Sequence, residues 1–315
     1  MQFSHEPVLL QETIDGLKIA PDGLYVDCTV GGGGHSKEIC KRLKRGELLG
    51  IDQDEEALFA ATQTLAPWGD RVTLVHDNFQ HLSEILAEKG WDKVDGILMD
   101  IGVSSHQFDD EERGFSYHGE ATLDMRMDQT ADRETARDIV NHYSQEDLTR
   151  IFYDYGEERW AKRIAEFIIS ERQEHEIATT ADLVSVIKKA IPKKVRMQEK
   201  HPAKRVFQAL RIQVNDELGV LKKGLREAVS HLKTGGRLCV ISFHSLEDRI
   251  VKQEFREMEK DCICPPDFPV CVCHHHREIK RINTKPIVAS EEELAENPRA
   301  HSAKLRVVEK LEQKK

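Results

Sequence analysis

Apolar and polar positions follow two alternating rhythms over the first hundred residues. Short apolar runs recur and end at an acid: Leu24 to Cys28 around Asp27, Glu47 to Ile51 before Asp52, Arg71 to Val75 before Asp77, and Val94 to Met99 before Asp100. Runs this short and this continuously apolar predict strands buried on both faces. Between them, apolar residues return every three or four positions. Val8 to Leu17 groups Leu9, Leu10 and Ile14. The stretch after Gly34 turns Ile39, Cys40 and Leu43 inward and Lys37, Glu38, Lys41 and Arg42 outward, with Gly46 where a helix C-cap belongs. Asp54 to Leu65 buries Ala57, Leu58, Ala61 and Leu65 before Pro67, and a further helix follows Asp77-Asn78-Phe79 as far as Glu88. Four strand–helix alternations predict an α/β fold with a doubly wound, mostly parallel sheet.

The rhythm then breaks. From about Asp109 to Ala203 no strand pattern of useful length occurs, and start signals for helices take its place: Ser144 with Asp147, and Thr179 with Asp182, at capping-box spacing. An all-helical insertion over residues 109–203 is expected, between a first part of the α/β core, 1–108, and a second part, 204–315. The second part opens with one long helix through Phe207, Leu210, Val214, Leu218, Leu221, Leu225, Val229 and Leu232, ended by Gly235-Gly236. Strands follow at Arg237 to Phe243, Ile279 to Ile282 and Lys304 to Val308, with a helix from Leu246 to Met258 and a frayed tail from Lys310.

Candidate chemistry begins where the first strand meets its helix. Gly31 to Gly34 are consecutive, and with no side chains they offer little reason to be there for packing. They permit positive φ and close approach of backbone N–H groups to a ligand. A dinucleotide fingerprint, Gly-x-Gly-x-x-Gly, fails in every register, because Ser36, Lys37 or Glu38 stands at the third glycine. A nicotinamide-dependent dehydrogenase is therefore disfavoured. What remains is a glycine cradle preceded by the acid Asp27, with Asp52 placed to accept hydrogen bonds from both ribose hydroxyls of an adenosine. That set suits S-adenosylmethionine, which carries an amino acid and a sulfonium but no phosphate. Phe79 could stack on its adenine or be an ordinary core aromatic. Asp100, at the carboxyl end of strand four, lies where reacting atoms sit in open α/β sheets. A carboxylate there can accept N–H bonds from a base amine, although the two prolines and the aromatic that often follow such a residue are absent.

Composition narrows the setting. The 315 residues carry a net charge of −10, with 39% hydrophobic and 32% charged residues, so any nucleic-acid footprint must be local. The segment from Lys188 to Arg211 holds nine basic residues, among them Lys193, Lys194, Arg196, Lys204 and Arg205, against the single acid Glu199. These are candidate RNA contacts. No signal peptide and no run of eighteen apolar residues is present, which predicts a cytoplasmic chain with no membrane partner.

Several segments together carry a resemblance: Phe3 to Leu10 with His5-Glu6-Pro7-Val8, Thr29 to His35, Met99 to Ser105, Arg113 to Ser116, Leu123 to Asp128, Phe207 to Ile212 and Ser242 to Arg249. They resemble the RsmH, or MraW, family of bacterial small-subunit rRNA methyltransferases along nearly the whole chain. The resemblance implies a class I methyltransferase core with a helical insertion after strand four. It implies methylation of N4 of a decoding-centre cytidine in 16S rRNA, with S-adenosylmethionine as donor and the 30S subunit as partner. A homodimer is the candidate assembly. Carried onto this chain, the family's cofactor contacts fall on Gly33, Gly34, His35, Asp52, Phe79, Asp100 and Gln107, while the strand-end position of Asp100 makes it the candidate catalytic residue that holds the amine. A non-catalytic, S-adenosylmethionine-binding ribosome assembly factor is the alternative.

Three further groups each admit two readings. His244 either faces the cleft of Asp100 or shapes its own turn. Arg126, between Asp124 and Asp128, is expected in a structural ion pair rather than on phosphate. Cys262-x-Cys264 and Cys271-x-Cys273, followed by His274 to His276, have the composition of a zinc site. Cys-x-Cys is tighter than the usual spacing, and Pro265, Pro266 and Pro269 suit a rigid turn without metal, so no metal is assigned.

Overall fold

The computed structural model describes residues 7–104, 107–108, 110, 112–196, 201–265, 268, 270–273 and 275–312, excluding the side chain of Val195. Phe3, His5, Glu6, Ser105, Asp109, Glu199, Lys200, Pro266, Pro269, His274 and the last three residues of the tail lie outside them. The chain divides into two compact units, Met1–Gly102 with Leu218–Lys315, and Val103–Glu217.

In chain order the first unit runs α1 (Leu10–Leu17), β1 (Leu24–Asp27), α2 (Gly34–Arg42), β2 (Glu47–Asp52), α3 (Glu55–Leu65), β3 (Val72–His76), α4 (Leu82–Lys89) and β4 (Val94–Asp100). The second unit follows with α5 (Ala136–His142), α6 (Gln145–Asp154), α7 (Ala161–Glu171), α8 (Thr180–Ala190), α9 (Lys193–Arg196) and α10 (Lys204–Asn215). The first unit resumes with α11 (Glu217–His231), β5 (Leu232–Ser242), α12 (Ser245–Met258), β6 (Ile279–Arg281), α13 (Glu291–Glu296) and β7 (Lys304–Lys310).

The seven strands form one sheet in the order β3-β2-β1-β4-β5-β7-β6. Neighbours from β3 to β5 are parallel, while β7 runs antiparallel to both β5 and β6. This is the class I methyltransferase arrangement. Period-two alternation explains why its strands read as unbroken apolar runs. Val26, Leu49, Ile97, Met99 and Val240 point to the face packed with residues of α4, α11 and α12. Tyr25, Leu48, Leu98, Cys239 and Ile241 point to the face packed with residues of α1, α2 and α3. Both faces are covered, so apolar residues dominate the strand interiors, and Asp27, Asp52 and Asp100 stand at strand ends.

The second unit is helical around its own core, which includes Leu148, Phe152, Ile164, Ile168, Leu183, Ile187, Phe207 and Leu210. Ser144 accepts from the N–H of Asp147 to cap α6, and Thr179 forms a full capping box with Asp182 at α8. Thr135 and Asp138 do the same for α5.

Five sequence expectations change. The long helix is two helices, because Asp216 adopts a left-handed φ of 47° between α10 and α11. The apolar stripe runs through that break in unaltered spacing, which hides it. Asn215 turns inward to donate to the carbonyls of Met125 and Arg211, and Arg211 grips Glu217 through two bonds of 2.7 and 2.8 Å. As a result α10 belongs to the second unit, and the first unit resumes at Leu218 rather than at residue 204. Gly235-Gly236 does not end a helix; both lie inside β5, at an irregularity in its pairing with β4. Gly46 is not a C-cap, since α2 ends at Arg42 with Leu43 as its cap, and a side chain at Gly46 would strike the carbonyl of Gly23. Lys310 is not frayed: it closes β7, is buried, and donates to Glu278 at 3.0 Å.

Among the described residues no helix is long and apolar enough to cross a membrane.

Candidate active site

The parallel register brings the carboxyl ends of β1, β2 and β4 side by side, and with them Asp27, Asp52 and Asp100. The loop after β1 is stitched to the strands on either side of it. Cys28 N–H donates to Leu98 O, Val30 N–H to Ile51 O, and the backbone N–H of Asp100 to the Thr29 hydroxyl at 2.7 Å.

The glycines are there for two different reasons. Gly31 and Gly33 have φ of 51° and 85°, and Gly33 is the left-handed residue on which α2 starts. Gly34 is helical, and a Cβ there would sit 2.5 Å from Cγ of Pro7. Packing therefore requires at least one of the four, contrary to the expectation from sequence.

Asp27 is not aimed at a ligand. It is 1% exposed, and its carboxylate accepts from the Ser36 hydroxyl at 2.7 Å and from Thr29 N–H at 3.2 Å. It fastens the loop to the first turn of α2, and burial pushes its carboxyl up to about 6. Asp52 accepts from Gly31 N–H at 2.8 Å and from Asp54 N–H at 3.0 Å, one on each oxygen. It is only half-buried, so further lone pairs remain for a ligand, and desolvation holds it at about 6.

Asp100 is the most perturbed acid of the three. Its side chain is 25% exposed, yet Oδ1 is fully buried with no hydrogen-bond partner among the described residues. Burial, with the charges of Asp27 and Glu247 added, pushes its carboxyl up to about 8. His35 lies beside it, 6% exposed, with Nδ1 3.6 Å from Asp100 Oδ2 and Nε2–H donating to Val8 O at 3.0 Å. Burial lowers His35 to about 4, so the ring is neutral and presents its Nδ1 lone pair to Asp100. A protonated carboxyl facing a neutral imidazole is the charge state these surroundings favour near pH 7.

Phe79 is 8% exposed and packed into the core, against α11 at Gly224, where a Cβ would lie 2.5 Å from its ring. The core-aromatic alternative describes its present contacts. Gln107 belongs to the second unit, where it is buried and accepts from Ser104 N–H at 3.0 Å.

Of the basic candidates, Lys193, Lys194, Lys204 and Arg205 are exposed and Arg196 is half-buried. Arg205 donates to Glu157 O, and from the same run Lys189 pairs with Glu171 and Arg211 with Glu217. The charge that solvent meets is accordingly smaller than the sequence count.

His244 caps α12 through Nδ1 and lies with Nε2 3.0 Å from the buried Glu247, which also accepts from the N–H groups of Phe243 and His244. Its described contacts are those of turn shaping. Arg126 makes its expected ion pair, bidentate to Asp124 at 2.9 and 2.8 Å.

Sequence reasoning passed over Thr29, Ser36 and Glu247. Ser36 had a signal, being a polar residue in the apolar stripe of Ile39, Cys40 and Leu43. Glu247 had a weaker one, a His-x-x-Glu capping box led by an unusual cap residue.

The cofactor suggested by the sequence is tested by these groups. An orphaned buried carboxyl oxygen, a positive-φ glycine loop and a half-buried acid at the next strand end make an incomplete polar site, and they fit an adenosine-bearing sulfonium.

The profile of the MraW methylase family matches residues 2–311. A protein of Finegoldia magna named ribosomal RNA small subunit methyltransferase H is 55% identical over 312 residues, covering 99% of this chain and 100% of the relative. Proteins of the same name from Clostridioides difficile and Symbiobacterium thermophilum are 54% and 56% identical, each across 99% of this chain and 100% and 98% of their own lengths. The chain belongs to the MraW methylase family.

Proposed function

We propose that this chain methylates N4 of a decoding-centre cytidine in 16S rRNA, with S-adenosylmethionine as the methyl donor, in the cytoplasm and on the 30S subunit. The buried Oδ1 of Asp100 at the end of β4, which has no hydrogen-bond partner among the described residues, carries the reading. An exocyclic amine is a poor nucleophile, because its lone pair is delocalised into the ring. An acceptor for its N–H groups favours the pyramidal, reactive form, and Asp100 offers one at the point of reaction.

The donor supplies an already activated methyl group, so the protein has mainly to position two reactants. Asp52 receives the ribose hydroxyls on its free lone pairs. The Gly31–His35 loop, held by Asp27 and Ser36, sets the backbone against the amino-acid end. Phe79, just past β3, lies against the adenine face. His35 limits how far the Asp100 carboxyl can rotate. Gln107 enters through the family resemblance alone, and Lys193, Lys194, Arg196, Lys204 and Arg205 supply phosphate contacts.

Ile101, Gly102 and Val103 stand where two prolines and an aromatic often follow such an acid, which favours the second reading, a non-catalytic ribosome assembly factor. Labelled S-adenosylmethionine incubated with undermethylated 30S subunits or with free 16S rRNA separates the two. Label is expected in the subunit's cytidine. Donor binding with no transfer to either substrate supports the assembly factor instead.

A further inference from the structure

Among the described residues, the connection between α12 and β6 has almost no apolar packing of its own. Ile263, Phe268, Val270 and Val272 are 50%, 52%, 69% and 59% exposed, and no regular element is present from 259 to 278 among the described residues. Burial therefore does little to order this segment. Its four cysteines nevertheless converge. Cys262 Sγ lies 3.5 Å from Cys271 Sγ and 3.7 Å from Cys273 Sγ, and Cys271 and Cys273 are 3.5 Å apart. The four sulfurs, that of Cys264 included, all lie within 4.8 Å of one another. All four are free thiols. A tetrahedral zinc with Zn–S of about 2.3 Å needs S···S edges of roughly 3.8 Å, close to the three distances seen.

The backbone around the sulfurs is arranged in the same sense. Each Cys-x-Cys turn donates the N–H of its middle residue to the last sulfur of the other turn: Ile263 N–H to Cys273 and Val272 N–H to Cys264, at 3.5 and 3.4 Å. Cys264 N–H adds a third such bond, to Cys262 at 3.4 Å. Backbone donors aimed at sulfur suit thiolate ligands, and the reciprocal pattern makes the two turns a matched pair. The imidazoles are not needed: His275 Nε2–H is already donating to Glu257 O at 3.2 Å.

We propose that Cys262, Cys264, Cys271 and Cys273 bind one structural zinc ion that staples the α12–β6 connection. The ligand set is closed, with no position left for water or substrate, so the site orders the segment and takes no part in methyl transfer. Full-length protein purified under thiol reductant without chelator should contain one zinc per chain by elemental mass spectrometry. The double variant Cys271→Ser, Cys273→Ser should lose it while binding S-adenosylhomocysteine as the wild type does. Cobalt loaded into the wild-type apoprotein should give the absorption of tetrahedral thiolate cobalt, bleached by added zinc, and this reading does not depend on any variant folding. Chelation should open residues 259–278 to limited proteolysis. Zinc-free protein whose four thiols titrate and whose cobalt form lacks that spectrum would overturn the proposal, as would a disulfide among the four. Stoichiometric iron would overturn the choice of metal.

Discussion

Asp100 carries its proton at neutral pH because of its neighbours. It is desolvated, Asp27 and Glu247 add negative charge nearby, and the imidazole beside it is neutral. Its carboxyl titrates at about 8 in the folded chain, against 3.8 for an ordinary aspartate. A raised folded-state value means that ionising this acid costs stability: the penalty is absent below about pH 4 and grows as pH rises through 8. Asp100→Asn, of nearly the same shape and unable to ionise, should therefore be the more stable protein at pH 8. Its advantage in thermal unfolding should shrink towards pH 5, and an advantage that grew on acidification would refute this charge state. The same reasoning applies to ligands. A sulfonium beside Asp100 favours the carboxylate. S-Adenosylmethionine should thus release more protons at pH 7 than S-adenosylhomocysteine does, which titration calorimetry in buffers of different ionisation enthalpy detects. Equal release would separate Asp100 from the cofactor's charge.

At the scale of elements, what was legible in the sequence followed what was periodic. Strands β1 to β4 were readable because burial on both faces leaves unbroken apolar runs, and α6 and α8 because Ser144 and Thr179 announce them. The break at Asp216 was not, since α10 and α11 share one stripe and only a single φ changes sign between them. Asp52 and Asp100 were readable as acids at strand ends. That Asp27 ties down its own loop was not, because a strand-end acid looks the same whether it faces Ser36 or a ligand. Gly224 shows the same limit: a glycine within a helix gives no hint that Phe79 lies 2.5 Å from where a Cβ would be. Gly224→Ala should cost about 1–3 kcal/mol through overpacking, read as a lower urea midpoint. Because Phe79 must move, affinity for S-adenosylhomocysteine should fall as well. Stability and affinity both at wild-type values would show that the ring has room to yield.

For the whole molecule, a chain of net charge −10 must meet RNA through a local basic surface. In the second unit the side chains of Lys193, Lys194 and Lys204 are exposed, whereas Lys189 and Arg211 are held in ion pairs. Replacing Lys193, Lys194 and Lys204 together by alanine should raise the apparent KM for 30S subunits. The log–log salt slope of rRNA binding should become shallower by roughly 2, at about 0.7 for each phosphate no longer neutralised. S-Adenosylhomocysteine affinity should not change. An unaltered salt slope would move the RNA surface elsewhere.

The central claim is that this family member delivers a methyl group to a cytidine amine held by Asp100. Nucleoside mass spectrometry of 16S rRNA, after undermethylated 30S subunits are incubated with wild type or Asp100→Ala, tests it directly. N4-methylcytidine should form with the wild type. The variant, still folded and still binding S-adenosylhomocysteine, should form it about 10²–10⁴-fold more slowly, the range for losing a positioned proton acceptor. A methyl group on any other atom, or a variant as fast as wild type, would contradict the account.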